Sequence, residues 1–180
     1  MGVRFNRKDC PGVLHYVTLN IRERRPLFRW EEYARMILYK LHEQCQEHPA
    51  KLIAYVAMLE HLHYIINPRD GQLTRFLAQF KPSTSLAMVD VATVCRHDSV
   101  LRRLHTTPTA APQLWQDGKH SFHLWTNWMI WQKINYIHSN PTRRMLVQHA
   151  GDYPFSSFNA MYPGELEPVI PIDREWWWEE

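Results

Sequence analysis

The chain has 180 residues, a formal net charge of +3 and 45% hydrophobic residues. A chain of this length can bury a substantial core as one domain, without disulfides or structural metals to hold it together. Its three cysteines, Cys10, Cys45 and Cys95, are scattered and form no CxxC pair, which argues against both a disulfide framework and a cysteine zinc site. The longest apolar run, IAYVAML, is far shorter than the ~20 residues that span a bilayer. We expect a soluble, unprocessed, cytoplasmic protein with one domain over residues 1–180.

The predicted elements begin with a strand, a helix and two further strands. The segment LHYVTLNI alternates apolar and polar residues and is rich in β-branched and aromatic side chains, which indicates a strand. From Trp30 to Glu47 the apolar residues recur at helical spacing and the pattern stops before Pro49, which predicts an amphipathic helix. KLIAYVAML and HLHYIIN then predict two strands joined by a tight turn near Leu59 and Glu60.

The second half of the chain repeats the alternation of helix and strand. LTRFLAQFK, from about Gln72, predicts a helix, and a further helical stretch precedes CRHDS. PQLWQDGKHSFHLW opens with strand-like residues and breaks at Asp117-Gly118, and TNWMIWQKINYIHSN predicts a final helix with Thr126 as N-cap and Pro141 just beyond its end. This order is the ferredoxin-like, or split βαβ, plan. The sequence therefore predicts an α+β fold, an antiparallel sheet with helices packed on one face and an additional C-terminal helix.

Two histidines stand out in the stretch MLEHLHYIINP. His61 and His63 are two residues apart in a predicted strand, so their side chains point to the same face of the sheet. Two imidazoles on one face can bind one metal ion. The pattern by itself is also typical of a hydrogen-bonded histidine pair on an exposed sheet face, and from the spacing alone we favour that second interpretation.

The basic and aromatic residues are compatible with a polyanionic partner, but they do not by themselves identify one. Arginine clusters can bind phosphates, although each can also be an ordinary solvated surface. Tryptophans such as Trp125 and Trp128 could stack on unpaired bases, whereas Trp128 and Trp131 together could instead form the core face of the last helix. The arginines that we consider for DNA binding are Arg22, Arg24, Arg25, Arg102, Arg103, Arg143 and Arg144.

Four blocks give the sequence a family resemblance. HYVTLNIRERRPLF, VAMLEHLHYII, FLAQFKPSTS and QKINYIHSNPTRRMLVQHAGDYPFSSF resemble, in order and spacing, the successive signatures of the REP-associated tyrosine transposases. That family belongs to the HUH superfamily of single-strand DNA transposases. The resemblance covers about residues 14–160, and its most specific part runs from YIHSNP to DYPFSSF. Residues 161–180 form an acidic, tryptophan-rich C-terminal tail, in which we assign no role to Trp176, Trp177 and Trp178.

The resemblance implies a metal-assisted DNA transesterification. In the family a tyrosine hydroxyl attacks a DNA phosphodiester and forms a covalent 5′-phosphotyrosine, while a divalent cation held by a His-hydrophobic-His pair orients the phosphate. His61 and His63 match this pair, so the resemblance implies a site for Mg²⁺ or Mn²⁺ there. It also implies a single-stranded or hairpin DNA partner, and we expect a monomer with no membrane contact.

The expected nucleophile is where the sequence departs from the family. In LWQDGKHSFHLW, Lys119 occupies the position at which we expect the catalytic tyrosine, and lysine cannot form a phosphotyrosine. Tyr136, in the last helix, is the nearest downstream alternative, although a tyrosine there can also simply pack in the core. For the third metal ligand the resemblance points to His123, four residues after Lys119, on the assumption that this segment is helical. His120 is the competing choice.

Two classes of function follow. The first is an enzyme that nicks and transfers single-stranded DNA, using another tyrosine in place of the residue at Lys119. A variant of this class would use metal-bound water as the nucleophile. The second is a domesticated, cleavage-inactive protein derived from a transposase, which still binds hairpin DNA. The enzyme predicts a covalent protein-DNA adduct, whereas the binding protein predicts salt-dependent hairpin affinity without an adduct.

Overall fold

A computed structural model describes residues 12–105, 107, 109–118 and 120–177, and its centre is one antiparallel sheet. All three strand pairings are antiparallel, in the order β2-β3-β1-β4. Together with the intervening helices this arrangement confirms the predicted α+β, ferredoxin-like plan. The strands are β1 (Leu14–Asn20), β2 (Ala50–Met58), β3 (His61–Pro68) and β4 (His120–Leu124).

Helices cover both faces of this sheet. Two long helices pack on one face, as predicted, and the last long helix packs on the opposite face. Three short 3-10 turns, at Arg22–Arg24, Leu27–Arg29 and Ala150–Asp152, connect the larger elements. The helices are α1 (Glu31–Glu47), α2 (Leu73–Val94), α3 (Asp98–Leu104), α4 (Asn127–Arg143) and α5 (Phe158–Met161).

The face under α1 and α2 holds the larger apolar core. Val17 and Leu19 of β1 point into it, because alternate strand residues share a face. The two helical stretches predicted here are one continuous helix, α2, which passes through Pro82. Proline removes a backbone donor, and hydroxyls bond to the carbonyls just before it: Thr84 Oγ1 lies 2.6 Å from the oxygen of Phe80. The helix therefore continues where the sequence indicated a boundary.

The opposite face is covered by α4. Ile130, Ile134 and Ile137, at helical spacing, are buried against it, and the Thr126 hydroxyl accepts a hydrogen bond from the Met129 amide at 3.2 Å, as expected of an N-cap. The prediction for the helix end was wrong by one turn, since Pro141 lies inside α4. The helix continues through Arg143, and the buried proline ring packs within its last turn.

The C-terminal segment packs against the outer strand, β2. Asp173 makes two hydrogen bonds to Leu52, one through its amide at 2.7 Å and one through its carboxylate at 2.8 Å. The Trp176 ring contacts Trp131 with centroids 5.2 Å apart, while Trp177 is 46% exposed and Trp178 lies outside the described residues. The predicted tail thus covers an edge strand, which is a position where proteins avoid unpaired backbone. Among the described helices, none combines the length and apolarity needed to cross a membrane.

Candidate active site

His61 and His63 lie side by side on the face of the sheet that α4 covers. Both side chains are almost fully buried, at 4% and 5% exposure, and their ring centroids are 4.5 Å apart. Strand alternation puts Tyr16 and Thr18 of the neighbouring strand β1 on the same face. The predicted placement of the two imidazoles on one face is therefore confirmed, although the pair is buried and not on an exposed sheet face.

Two hydroxyl groups engage one nitrogen of His63. The oxygens of Tyr16 and Thr18 lie 2.9 Å and 2.8 Å from Nδ1 of the ring. A proton donated from Nδ1 to these oxygens leaves the lone pair on Nε2, which is the atom through which the ring could bind a cation. Burial lowers the pKa of His63 to about 3, with His61 and nearby cations adding to the effect, so the ring is neutral at physiological pH. Neutral imidazole is the form that binds metals.

The environment of His61 is set by the adjacent Glu60. A carboxylate oxygen of Glu60 is 3.3 Å from Nδ1 of His61, but the contact lacks hydrogen-bond geometry and this buried nitrogen has no hydrogen-bond partner in the described part of the chain. Burial lowers the pKa of His61, and the charge of Glu60 acts in the opposite direction. Arg144 donates to the same carboxylate oxygen at 2.5 Å.

The two rings meet some of the requirements of a divalent-cation site. Both are neutral, buried and on one face, and the unpartnered Nδ1 of His61 is the kind of orphaned polar atom that a ligand site leaves. Within the ranges that the structure describes, no group of three or more His, Cys, Asp or Glu side chains could hold a metal ion. The protein residues described here thus supply two nitrogen ligands, and any further positions around a cation would be filled by other oxygen donors.

Tyr136 of α4 lies directly beside the pair. Its ring centroid is 5.7 Å from that of His63 and 6.3 Å from that of Tyr16. Two cations flank it, because the Lys133 ammonium and the Arg143 guanidinium each lie 5.4 Å from its ring centroid. The side chain is half-buried, in contrast to the buried Tyr16, where desolvation raises the pKa to about 12. The structure thus gives this face one partly accessible tyrosine among basic groups.

Other predicted site residues are placed differently. Lys119 lies outside the described residues. The helical assumption behind His123 was wrong, because residues 120–124 form strand β4, and His123 is opposite His15 on the other face of the sheet. Its ring contacts His15 at 4.7 Å and is not positioned beside the pair, which corrects its assignment as third ligand. His120 does share the face, since it is paired with Thr18, which is itself paired with His63.

The seven predicted arginines separate into two groups. Arg24 and Arg144 reach Glu60, and Arg143 lies over Tyr136, so these three surround the histidine pair. The others lie near α3, where Arg22 and the buried Arg25 both donate to the carbonyl of Arg103, at 3.3 Å and 3.2 Å. Arg22 and Arg25 are thereby structural, whereas Arg102 and Arg103 are exposed in the last turn of α3.

Beyond the histidine pair, several aromatic side chains are exposed at the protein surface. Phe122 of β4, 42% exposed, packs on Tyr16 with centroids 4.9 Å apart, and the Lys133 ammonium lies 4.9 Å from its ring centroid. Trp125 and Trp128, at the junction of β4 and α4, are 59% and 71% exposed. The interpretation of Trp128 and Trp131 as the core face of the last helix was therefore wrong, since Trp131 is exposed as well. Sequence reasoning missed Tyr16, Thr18, Phe122 and Lys133, since only the strand order brings them to His63.

Comparison with known proteins identifies the fold. No model of a protein family matches the chain, and a search among curated proteins finds no match. A solved structure of a REP-associated tyrosine transposase bound to a REP hairpin is similar with a TM-score of 0.67 and 19% sequence identity, covering 99% of both chains. A crystal structure of a Deinococcus radiodurans protein, provisionally described as a transposase, is similar with a TM-score of 0.44 and 13% identity, covering 76% of this chain and 97% of that one. The chain thus has the fold of a REP-associated tyrosine transposase, the class that its sequence blocks resemble.

Proposed function

We propose that this protein is an HUH-type nicking and strand-transfer enzyme that acts on hairpin-forming single-stranded DNA with Tyr136 as its nucleophile. The observation that carries the proposal is the position of Tyr136, half-buried beside His63 on the face that holds the histidine pair. The sequence resemblance and the shared fold support the same class of reaction.

Tyr136 suits the role better than the other tyrosine of this face. Tyr16 is buried, its hydroxyl is 2.9 Å from His63 Nδ1 and its raised pKa makes the phenolate costly. Tyr136 is the more accessible of the two, and Lys133 and Arg143 beside it can attract the DNA backbone. Tyr136 on α4 would take the role of the tyrosine that the family has at the position of Lys119. The lysine at that position is therefore compatible with strand cleavage.

The reaction exchanges one ester bond for another. The Oη atom of Tyr136 would form a bond to phosphorus, and the bond from phosphorus to the 3′ oxygen would break, leaving a 5′-phosphotyrosine and a free 3′-OH. The phenol proton is lost and the leaving 3′ oxygen gains one, so the step needs no nucleotide cofactor. Because the phosphotyrosine keeps the energy of the ester, a second 3′-OH can reverse the step on another strand end.

His61 and His63 would hold the divalent cation, Mg²⁺ or Mn²⁺. When bound, such an ion supplies polarisation of the phosphate and fixes its orientation toward the attacking oxygen. The chain contributes two neutral imidazole donors, and the hydroxyls of Tyr16 and Thr18 fix the orientation of the His63 ring. Phosphate and water oxygens would complete the coordination.

Binding of folded single-stranded DNA is supported by the surface around the pair. Exposed aromatic rings next to cations are the usual means of binding unpaired bases and their backbone, and Phe122 with Lys133 offers both. The structurally similar transposase was solved with a REP hairpin, which makes a hairpin the natural probe for this chain.

The test is a denaturing gel of the protein with labelled hairpin DNA, in Mg²⁺, in Mn²⁺ and in EDTA. We expect a metal-dependent band of labelled DNA shifted by the mass of the protein, and mass spectrometry of the attached peptide should find the modification on Tyr136. Tyr136→Phe should abolish the band, whereas Tyr39→Phe, at an exposed tyrosine of α1, should leave it unchanged. The double variant His61→Ala/His63→Ala should lose the band and keep most hairpin affinity.

Three results would change the proposal. An adduct that persists in Tyr136→Phe would assign the nucleophile to another residue. Cleaved DNA without an adduct would point to water as the nucleophile. Intact DNA together with clear binding on a native gel would support the alternative, a cleavage-inactive hairpin-binding protein.

A further inference from the structure

Glu60, in the turn between β2 and β3, gathers three basic side chains at one carboxylate oxygen. Its Oε1 atom is 2.5 Å from Nη2 of Arg144, 3.3 Å from Nδ1 of His61 and 4.0 Å from Nη1 of Arg24. The side chain is only 15% exposed, and its backbone carbonyl accepts a hydrogen bond from the Ile21 amide at 2.9 Å. Glu60 is therefore fixed next to one member of the histidine pair.

The two arginines come to Glu60 from distant parts of the chain and stay accessible. Arg24 follows β1 and Arg144 follows α4, with side chains 58% and 54% exposed. Arg24 lies at a left-handed backbone position, with φ of 52°, and Arg144 directly precedes another, Met145, with φ of 55°. Such conformations cost energy for residues other than glycine and persist where the surroundings impose them.

These ion pairs are of a kind that a phosphate can displace. Because more than half of each arginine side chain is in water, solvent screens these pairs and weakens them. A DNA phosphate offers an arginine two oxygens in a geometry that matches the guanidinium fork. In the free protein Glu60 thus occupies the anion position that a phosphate beside His61 would take.

Release of the arginines would also change the contact with His61. The Glu60 oxygen is already within 3.3 Å of Nδ1, and only the geometry prevents a hydrogen bond. A carboxylate that accepts the Nδ1 proton holds the ring in the tautomer with its lone pair on Nε2, and outer partners of this kind strengthen metal binding by histidine.

We propose that Glu60 is a positioning residue with two states, one that holds Arg24 and Arg144 in the free protein and one that yields them to a DNA phosphate and bonds to His61. This inference rests on the proposed function, because it concerns the same DNA strand and the same histidine pair. Glu60 then opposes DNA binding and favours metal binding, so its removal has opposite effects on the two.

The first experiment measures hairpin affinity by fluorescence anisotropy in EDTA, with Glu60→Gln and the matched control Glu23→Gln. Glu23 is an exposed acid that pairs with Arg22 and Arg25, away from the histidine pair. We expect Glu60→Gln to tighten binding about 5-fold at 50 mM salt, and Glu23→Gln by less than about 2-fold. Adding Arg144→Gln to Glu60→Gln should remove the gain. Unchanged or weaker binding by Glu60→Gln would overturn the exchange of ion pairs.

The second experiment measures the Mn²⁺ affinity of the hairpin-bound protein from the electron paramagnetic resonance signal of the unbound ion. It uses the Tyr136→Phe background, which prevents cleavage, and the hairpin alone as the blank. Glu60→Gln should weaken Mn²⁺ binding about 10-fold, Glu60→Asp should restore part of it, and Glu23→Gln should have no effect. Equal Mn²⁺ affinity in Glu60→Gln and the parent protein would overturn the positioning role. Thermal melts show whether each variant is folded.

The two proposals fail in distinguishable ways. If the parent protein forms the covalent adduct and Glu60→Gln changes neither affinity, the role of Glu60 is refuted and the enzyme stands. If no adduct forms but the opposite shifts in DNA and Mn²⁺ affinity appear, the role of Glu60 stands without strand cleavage. A parent protein that binds neither hairpin nor Mn²⁺ refutes both.

Discussion

The two faces of the sheet are built from the same strands and differ in what their buried side chains do. The face under α1 and α2 is filled by apolar residues, in one cluster that includes Phe76, Phe80 and Trp115. The face under α4 carries the buried His61 and His63 and the partly buried Thr18 next to its apolar residues. The first face is thus mainly apolar core, while the second combines apolar core with the candidate site.

This difference has a physical cause in the pleat. Because successive side chains alternate, a strand such as β3 can place Leu62 and Tyr64 in the core and His61 and His63 in the site without a break in its hydrogen bonding. Burying an imidazole costs free energy. This cost is reduced because the rings are neutral and because the Tyr16 and Thr18 hydroxyls lie within hydrogen-bond distance of His63. The faces should thus respond differently to substitution.

The largest effect on stability is expected on the apolar face. Phe80 is fully buried and stacks near Phe76 and Trp115, with centroids 6.1 Å and 6.2 Å away. Phe80→Ala should lower the free energy of unfolding by about 3–5 kcal/mol, from lost burial and from the cavity left behind. Urea unfolding measures this, with Leu86→Ala, at an exposed site on the same helix, as the control that should change little. A loss below about 1 kcal/mol for Phe80→Ala would mean that the two faces do not differ as argued.

The sequence allowed much of this architecture to be predicted, because the signals were local. Alternation in LHYVTLNI and HLHYIIN indicated the strands, and the spacing of His61 and His63 placed both rings on one face. The N-cap Thr126 marked the start of α4. Each of these features depends on residues within a few positions of one another.

The predictions that failed depended on distant parts of the chain. Tyr16 and Thr18 meet His63 only because β1 pairs with β3, a fact that no short segment contains. His123 was assigned on a helical spacing, but it lies in strand β4, where it alternates with Phe122 and therefore points to the opposite face. Pro141 was predicted to lie beyond a helix end, and two helical stretches were predicted where one helix passes through Pro82. In both helices, hydroxyl and backbone contacts allow the helix to continue past the proline. Contacts within the helix itself thus outweighed the tendency of proline to end it.

The next largest effect is a pH dependence that arises on the α4 face. His138 is buried against Phe158 and Tyr162, its Nε2 is 2.9 Å from the Ser157 hydroxyl, and burial lowers its pKa to about 4. The unfolded chain takes up a proton near pH 6.5, whereas the folded protein does so only near pH 4, so stability falls as pH falls through this window. The contribution of His138 should reach about 3 kcal/mol by pH 4.

The measurement compares unfolding of the parent protein with that of His138→Gln between pH 7 and pH 4. The variant keeps a donor toward Ser157 but does not titrate, so its stability should decline less steeply as the pH falls. Other buried histidines contribute equally to both proteins and cancel in the difference. Parallel curves would show that His138 is not held neutral by the fold.

A smaller effect is expected where the site reaches the surface. Phe122 is partly exposed beside Lys133, and stacking of a DNA base on such a ring is worth about 1–3 kcal/mol. Phe122→Ala should therefore weaken hairpin binding by about 5-fold to 150-fold, with little change in thermal stability. Tyr39→Ala, at an exposed aromatic on α1, is the matched control and should leave binding unchanged. Equal losses in both variants would mean that the aromatic surface beside Tyr136 is not where unpaired bases bind.

The smallest effect lies at the sheet edge, where neither face is involved. Asp173 accepts a hydrogen bond from the Leu52 amide at 2.8 Å through its carboxylate and donates its own amide to the Leu52 carbonyl at 2.7 Å. Asp173→Ala removes the first bond only, so we expect a loss of about 0.5–1.5 kcal/mol, and Asp173→Asn should restore part of it through its side-chain carbonyl. Hydrogen exchange at the Leu52 amide should become faster in Asp173→Ala, while exchange at the central strand β1 stays slow. Faster exchange across β1 and β3 as well would show that the C-terminal segment stabilises the whole sheet, since edge protection alone requires an effect confined to β2.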